Sequence, residues 1–200
     1  AVLRQRRDAP HHHEPGRAPI RAAVPTAIRD SCTEWVQDLI DRLATEEPYD
    51  YIVTSAFALN TDFIVENNSQ DSFEAGVQGY VNAWSSQIDR GTEIIVMRDY
   101  PHTTTDVLEC SRINPAAECA TRQNDVLVPV GEDAAAQAAL SLDGATLVDM
   151  TYWFCLDGTC PTVVGNVYVY RDYHHFTETY GITLAEPLAQ PLREQTSMPL

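Results

Sequence analysis

Apolar residues along this chain recur with two periods. From Ser31 onward, Trp35, Leu39, Ile40 and Leu43 repeat at helical spacing, with Asp and Glu early in the segment. That pattern predicts an amphipathic helix. Tyr51-Ile52-Val53 reads as a short buried strand. Residues 72–88 predict a second helix with Phe73, Val77, Tyr80, Val81 and Trp84 on one face. The run 93–97 predicts a second strand, an alanine-rich stretch over about 132–141 a helix, and 146–150 a third strand; a last helix begins near Thr177. The strands are continuous apolar runs, and helices separate them. Together they predict the α/β class: a parallel sheet covered by helices on both faces, a three-layer α/β/α sandwich. Such sheets bind ligands at the C-terminal ends of their strands.

Residues 1–30 break the pattern. They hold six arginines against three acids, a charge of +3, while the whole chain carries −16 and the remainder therefore −19. They also hold four prolines and the run His11-His12-His13, with no apolar periodicity. This segment is expected to be a disordered or non-native leader, and 31–200 the folded domain. A metal role for the three histidines is the competing reading. Acids outnumber bases 29 to 13 and every base is arginine, which argues against a nucleic-acid partner. No apolar run approaches the roughly 20 residues of a membrane-spanning helix. No secretory signal pattern opens the chain, and its first residue is not Met, so it is expected to be cut from something longer.

Five cysteines are an odd number. Cys155 and Cys160 enclose the turn-like Leu156-Asp157-Gly158-Thr159, and Cys110 and Cys119 enclose a loop with Pro115. Short local spacings of this kind predict two disulfides and an oxidising compartment. Metal ligation is the alternative, although no pair has the C-x-x-C spacing. Cys32 is left over, and its partner is expected outside this sequence.

The candidate chemistry lies in Tyr170-Arg171-Asp172-Tyr173-His174-His175-Phe176-Thr177, which follows the apolar run 163–170. If Asp172 and His175 share one turn, the carboxylate can accept a hydrogen bond from one ring nitrogen of His175. The other nitrogen is then left to take a proton from a serine hydroxyl. His174 is the local competitor as base; adjacent to His175, it is expected to face solvent or line the cleft. A metal site of Asp172, His174 and His175 is a third reading, disfavoured because neighbouring histidines seldom point at one ion.

The stretch from Asp149 through Cys155-x4-Cys160-Pro161 to Arg171-Asp172-x-x-His175-Phe176-Thr177 resembles the C-terminal part of an SGNH hydrolase-like domain. The nearest resemblance is to the version fused behind acyltransferase 3 type membrane O-acyltransferases. Cys32-Thr33-Glu34-Trp35, the strand ending at Arg98-Asp99-Tyr100-Pro101, and the Cys110/Cys119 loop fit the same pattern, which spans about 31–190. The resemblance implies Asp172 and His175 as catalytic residues and no cofactor, neither metal nor nucleotide. Its partners would be an acyl donor, a polysaccharide acceptor and a fused upstream membrane domain, placing the domain extracytoplasmically in a cell-membrane protein or, alternatively, in a secreted one.

The family's nucleophile lies in a Gly-Asp-Ser motif, and this sequence contains none. Asp30-Ser31 lacks the glycine and a clean preceding strand, because Pro25 interrupts it. Asp71-Ser72 reads as a helix cap before Phe73. The chain is therefore expected to lack its first strand and its serine, and to be inactive by itself. Ser55 and Asn60, after the first strand, are candidate oxyanion donors, with an ordinary polar loop favoured. Tyr152, Trp153 and Phe154 could stack on a sugar, though packing beside a disulfide is the commoner role. His102 is a weaker candidate for the cleft. The implied activity is transfer of an O-acyl group, acetyl above all, to a cell-surface polysaccharide. A secreted carbohydrate esterase and a degenerate, non-catalytic glycan-binding domain are the alternatives.

Overall fold

A computed structural model describes residues 3–6, 29–59, 61, 63 and 71–200. His11-His12-His13, Pro25 and Asn60 lie outside the described residues, as does most of the expected leader. The described chain divides into two compact units: 1–98 with 130–148 and 196–198, and 99–129 with 149–195 and 199–200.

The first unit holds the sheet. Strand β1 (Leu3–Arg6), helix α1 (Arg29–Thr45), β2 (Tyr49–Ser55), α2 (Ser72–Ile88) and β3 (Glu93–Met97) come first. Helix α5 (Ala134–Ser141) and strand β5 (Ala145–Val148) return to this unit after an excursion into the second. Strand order is β1-β2-β3-β5. β2, β3 and β5 run parallel, with Ile52 opposite Ile94 and Val96 opposite Leu147. β1 adds an antiparallel edge, Arg4 opposite Ile52. Ile94 and Val96 turn to one face of the central strand and Ile95 to the other, and all three are fully buried. A parallel strand buried on both faces is the signature of the α/β sandwich that the apolar runs predict.

Helix α2 lays Tyr80 and Trp84 against Ile94 and Val96. Alanine at 134, 135, 138 and 139 lets α5 approach the same cluster closely. The helical period of α1 is read correctly but its face is shifted: Val36 and Leu39 are buried, whereas Ile40 is exposed. Val36 and Leu39 lie three residues apart on the core side, and Ile40 falls just past that stripe. Helix α2 starts as its Asp-Ser pair predicts, with Asp71 Oδ1 accepting from the amides of Phe73 at 2.8 Å and Glu74 at 3.3 Å. Ser31 falls inside helix α1. The strand expected over 146–150 ends at Val148.

The second unit has little regular sheet. It contains α3 (Thr105–Ile113), β4 (Ala120–Arg122), α4 (Gln123–Val126), α6 (Thr151–Phe154) and β6 (Thr159–Pro161). β7 (Val163–Val164), β8 (Val167–Tyr168), α7 (Glu178–Thr183) and α8 (Ala185–Gln195) follow. Both predicted disulfides form, Cys110–Cys119 and Cys155–Cys160. The first leaves from helix α3, which the sequence reading leaves as part of a disulfide loop. The apolar run 163–170 is a tight hairpin rather than one strand, because Gly165 and Asn166 both take positive φ, 56° and 65°. A two-residue turn of that hand matches strand twist. Among the described residues no helix is long and apolar enough to cross a membrane.

Asp133, 3 % exposed, caps α5 by accepting from the amides of Ala135 at 3.0 Å and Ala136 at 3.1 Å. Replacing it with alanine strands two buried amides. Asp133→Ala should lower unfolding free energy by about 1–2 kcal/mol in urea titrations, and Asp133→Asn by less, since Asn also caps well.

Candidate active site

The segment after β8 is a closed loop. An isolated antiparallel bridge joins Tyr170 to Phe176, and the amide of Arg171 donates to the carbonyl of His175 at 2.8 Å. Thr177 locks the exit: its Oγ1 donates to the Tyr168 carbonyl at 2.6 Å and accepts from the Tyr180 amide at 3.1 Å, capping α7. Within the loop, Asp172 Oδ1 accepts from the amides of His174 at 3.1 Å and His175 at 2.9 Å. Aspartate is suited to this, because its short carboxylate reaches the backbone two and three residues on.

The same carboxylate orients the imidazole. His175 Nδ1 lies 2.9 Å from both Oδ1 and Oδ2 of Asp172. An ionised carboxylate only accepts, so this contact places a proton on Nδ1 and leaves Nε2 as the basic nitrogen of the neutral ring. The His175 side chain is 50 % exposed. Arg171 completes the shell, with Nε at 3.3 Å and Nη2 at 3.2 Å from Oδ2. Partial desolvation pushes the Asp172 acid upward. The His174 amide, the His175 ring, Arg171 and the His175 amide outweigh it and hold the group well below the usual carboxylate range.

His174 is only partly exposed, and its Nδ1 turns inward to 3.4 Å from Asp172 Oδ1. Its backbone carbonyl accepts from the Tyr100 hydroxyl. Burial, then the charge of Asp99, raises the Tyr100 hydroxyl, which keeps it a neutral donor. Donor atoms of Asp172, His174 and His175 lie within 4.8 Å of one another, so the three could gather a divalent ion only by taking the carboxylate that orients His175.

An aromatic cluster backs the loop. Phe176 packs edge-on to Tyr100 at 5.0 Å, and Tyr100 stacks on Phe154 at 5.1 Å. The Tyr180 hydroxyl donates to the Trp153 carbonyl. Phe154 is thus the packing residue of its triplet. Tyr152 and Trp153 are exposed, 69 % and 42 %, and meet edge to face. His102 is buried, with Nε2 3.3 Å from Asp99 Oδ2, and serves an internal pair rather than a cleft. Ser55 is exposed at the end of β2 in the first unit. Ser72 Oγ donates to the Thr61 carbonyl at 2.9 Å, a structural role. Arg171 and Tyr100 stand within larger sequence blocks that assign neither a role; their contacts with Asp172 and with the His174 carbonyl are what the structure adds.

The second unit thus carries an Asp-His pair in hydrogen-bond contact, and the first unit a largely parallel sheet covered by helices. The chain belongs to the SGNH domain family, in the form fused to AT3 domains, whose family model matches residues 10–190. No curated protein and no solved structure matches it.

Asp172→Ala should remove the bias toward Nδ1-protonated His175, which ¹⁵N NMR of the imidazole would read as a shift toward the other tautomer. The sign with pH follows from the depressed acid. The carboxylate's support of the loop is complete above the ordinary Asp value of about 4, and is lost as pH falls toward the depressed one. Amide signals of His174 and His175 should report that loss, and Asp172→Asn should abolish its pH dependence.

Proposed function

We propose that this domain works in O-acyl transfer, of acetyl groups above all, to a cell-surface polysaccharide, with His175 as general base and Asp172 as its orienter. The observation that carries this reading is the 2.9 Å contact of His175 Nδ1 with both oxygens of Asp172, on an imidazole half open to solvent. A serine Oγ would attack the acyl carbonyl as Nε2 takes its proton. The tetrahedral intermediate then collapses, and the imidazolium returns the proton to the leaving oxygen. In the second half, Nε2 deprotonates a sugar hydroxyl, which attacks the acyl-enzyme and regenerates the serine. Asp172 stabilises the imidazolium at both stages.

The fusion of the family to AT3 domains supports a membrane acyltransferase domain as the source of the acyl group. The two disulfides favour an extracytoplasmic location. The serine is expected from outside this sequence, which has no Gly-Asp-Ser; residues 31–200 are proposed as the portion that supplies the base. A glycan-binding role without catalysis is the second reading, favoured by the exposed Tyr152 and Trp153 rings.

In the AT3-fused protein, His175→Ala should lower acyl transfer to polysaccharide by about 10²–10⁴-fold, while His174→Ala should lower it far less. Measurement of acylated glycan against free acid separates transfer from esterase activity. Full activity in His175→Ala would sink the catalytic reading, and glycan affinity in a parent protein that shows no turnover would favour the binding one. EDTA should leave the rate unchanged, whereas a metal centre at Asp172, His174 and His175 would lose it. This chain by itself should not hydrolyse p-nitrophenyl acetate above background; turnover abolished by Ser31→Ala would instead assign the nucleophile to Ser31.

A further inference from the structure

A groove of about 260 Å³ opens in the second unit, lined by Leu108, Ser111, Arg112, Tyr168, Tyr170 and Arg171. Two of these side chains are cations and none is an acid, in a chain whose net charge is −16. Arg171 is paired with Asp172, so Arg112 supplies the net positive charge that draws an anionic ligand to this wall of the groove. Both cations are arginine, and a guanidinium meets a carboxylate with two parallel hydrogen bonds. Arg112 is exposed in the last turn of α3. Arg171 spends Nε and Nη2 on Asp172 Oδ2, a bond that leaves Nη1 for a ligand.

The rest of the groove suits a sugar ring. Tyr168 is half exposed, and its hydroxyl donates to the Ser111 carbonyl at 3.3 Å, which fixes the ring across the groove. Tyr170 lies buried beneath, its hydroxyl donating to the Pro101 carbonyl at 2.8 Å. An aromatic ring with its polar end satisfied presents an apolar face at little entropic cost. The volume is below the ~300–1,000 Å³ of sites that enclose drug-sized molecules, so it takes one glycan unit rather than a long segment.

We propose that this groove is the acceptor subsite and that it selects a glycan unit bearing a carboxylate, a uronate or similar acidic sugar. The ring would lie on Tyr168 and the carboxylate between Arg112 and Arg171. Because Arg171 also holds Asp172, a unit docked here lies next to the loop that presents His175. The assignment of the groove to the acceptor rests on the acyl-transfer reading; its preference for an acidic sugar does not.

The test is calorimetric titration of the purified chain with tetragalacturonate and with neutral maltotetraose. The uronate should bind at least tenfold more tightly, and its affinity should fall as salt rises. Arg112→Gln should cost about tenfold for the uronate and little for the neutral sugar, with Arg112→Lys recovering part of it. His175→Ala should bind the uronate as the parent does, even where it abolishes acyl transfer, which separates this proposal from the catalytic one. Equal affinity for the two sugars, no measurable uronate binding, or uronate binding indifferent to Arg112→Gln would each overturn it.

Discussion

One carboxylate organises the site. Asp172 gathers two backbone amides, an imidazole N–H and two guanidinium nitrogens on its two oxygens. The amides fold the loop, the imidazole contact fixes which nitrogen of His175 is basic, and the guanidinium ties the loop to the groove beside it. Loop shape and base orientation thus depend on the same charge. An amide at this position would have one accepting oxygen for all these donors, and its NH₂ would face the His175 ring. Local structure and proposed chemistry therefore fail together when Asp172 changes, which is why tautomer and turnover have to be read separately.

What holds the loop in place is only modestly hydrophobic. The strands of the second unit are two or three residues long, too short to bury much by themselves. Covalent links and a ring cluster take up the task. By loop-closure arithmetic, disulfides at sequence separations of 9 and 5 contribute about 2–3 kcal/mol each. Tyr100, Phe154, Phe176 and Tyr180 stack around one another behind His175. Gly181 shows how closely this is fitted, since a Cβ there would lie 2.8 Å from the Phe176 ring.

The two units differed in how far they could be read in advance, and the reason is physical. β3 and α2 take their predicted bounds because continuous burial and helical periodicity are both strong there. Ile94, Ile95 and Val96 read as a buried parallel strand before any coordinate is known. The slip on α1 came from counting Ile40 as core when Val36 fills that face. In the second unit, periodicity carries little information over elements of two to four residues. Gly165-Asn166 was the available signal for the hairpin, and it lay hidden inside an apolar run. Asp172 and His175 were legible because their contact is local, three residues apart. Arg112 and Tyr168 were not, since only the fold brings α3 against β8.

This division bears on how such a domain can change its substrate without losing its fold. The sheet core is fixed by apolar residues buried on both faces, where substitution carries the usual large costs of cavities and overpacking. The loop geometry is fixed by bonds within 168–177 and by backbone acceptors, such as the carbonyl of His174. The side chains of Arg112 and Tyr168 belong to neither set: one is an exposed helical side chain, and the other is anchored through its hydroxyl with half its surface open. Changing them alters the charge and shape of the groove while leaving the Asp172–His175 contact intact. On the acyl-transfer proposal, specificity can therefore drift on the groove wall while the Asp172–His175 pair stays constant, because the bonds that shape the loop are not made by these two side chains.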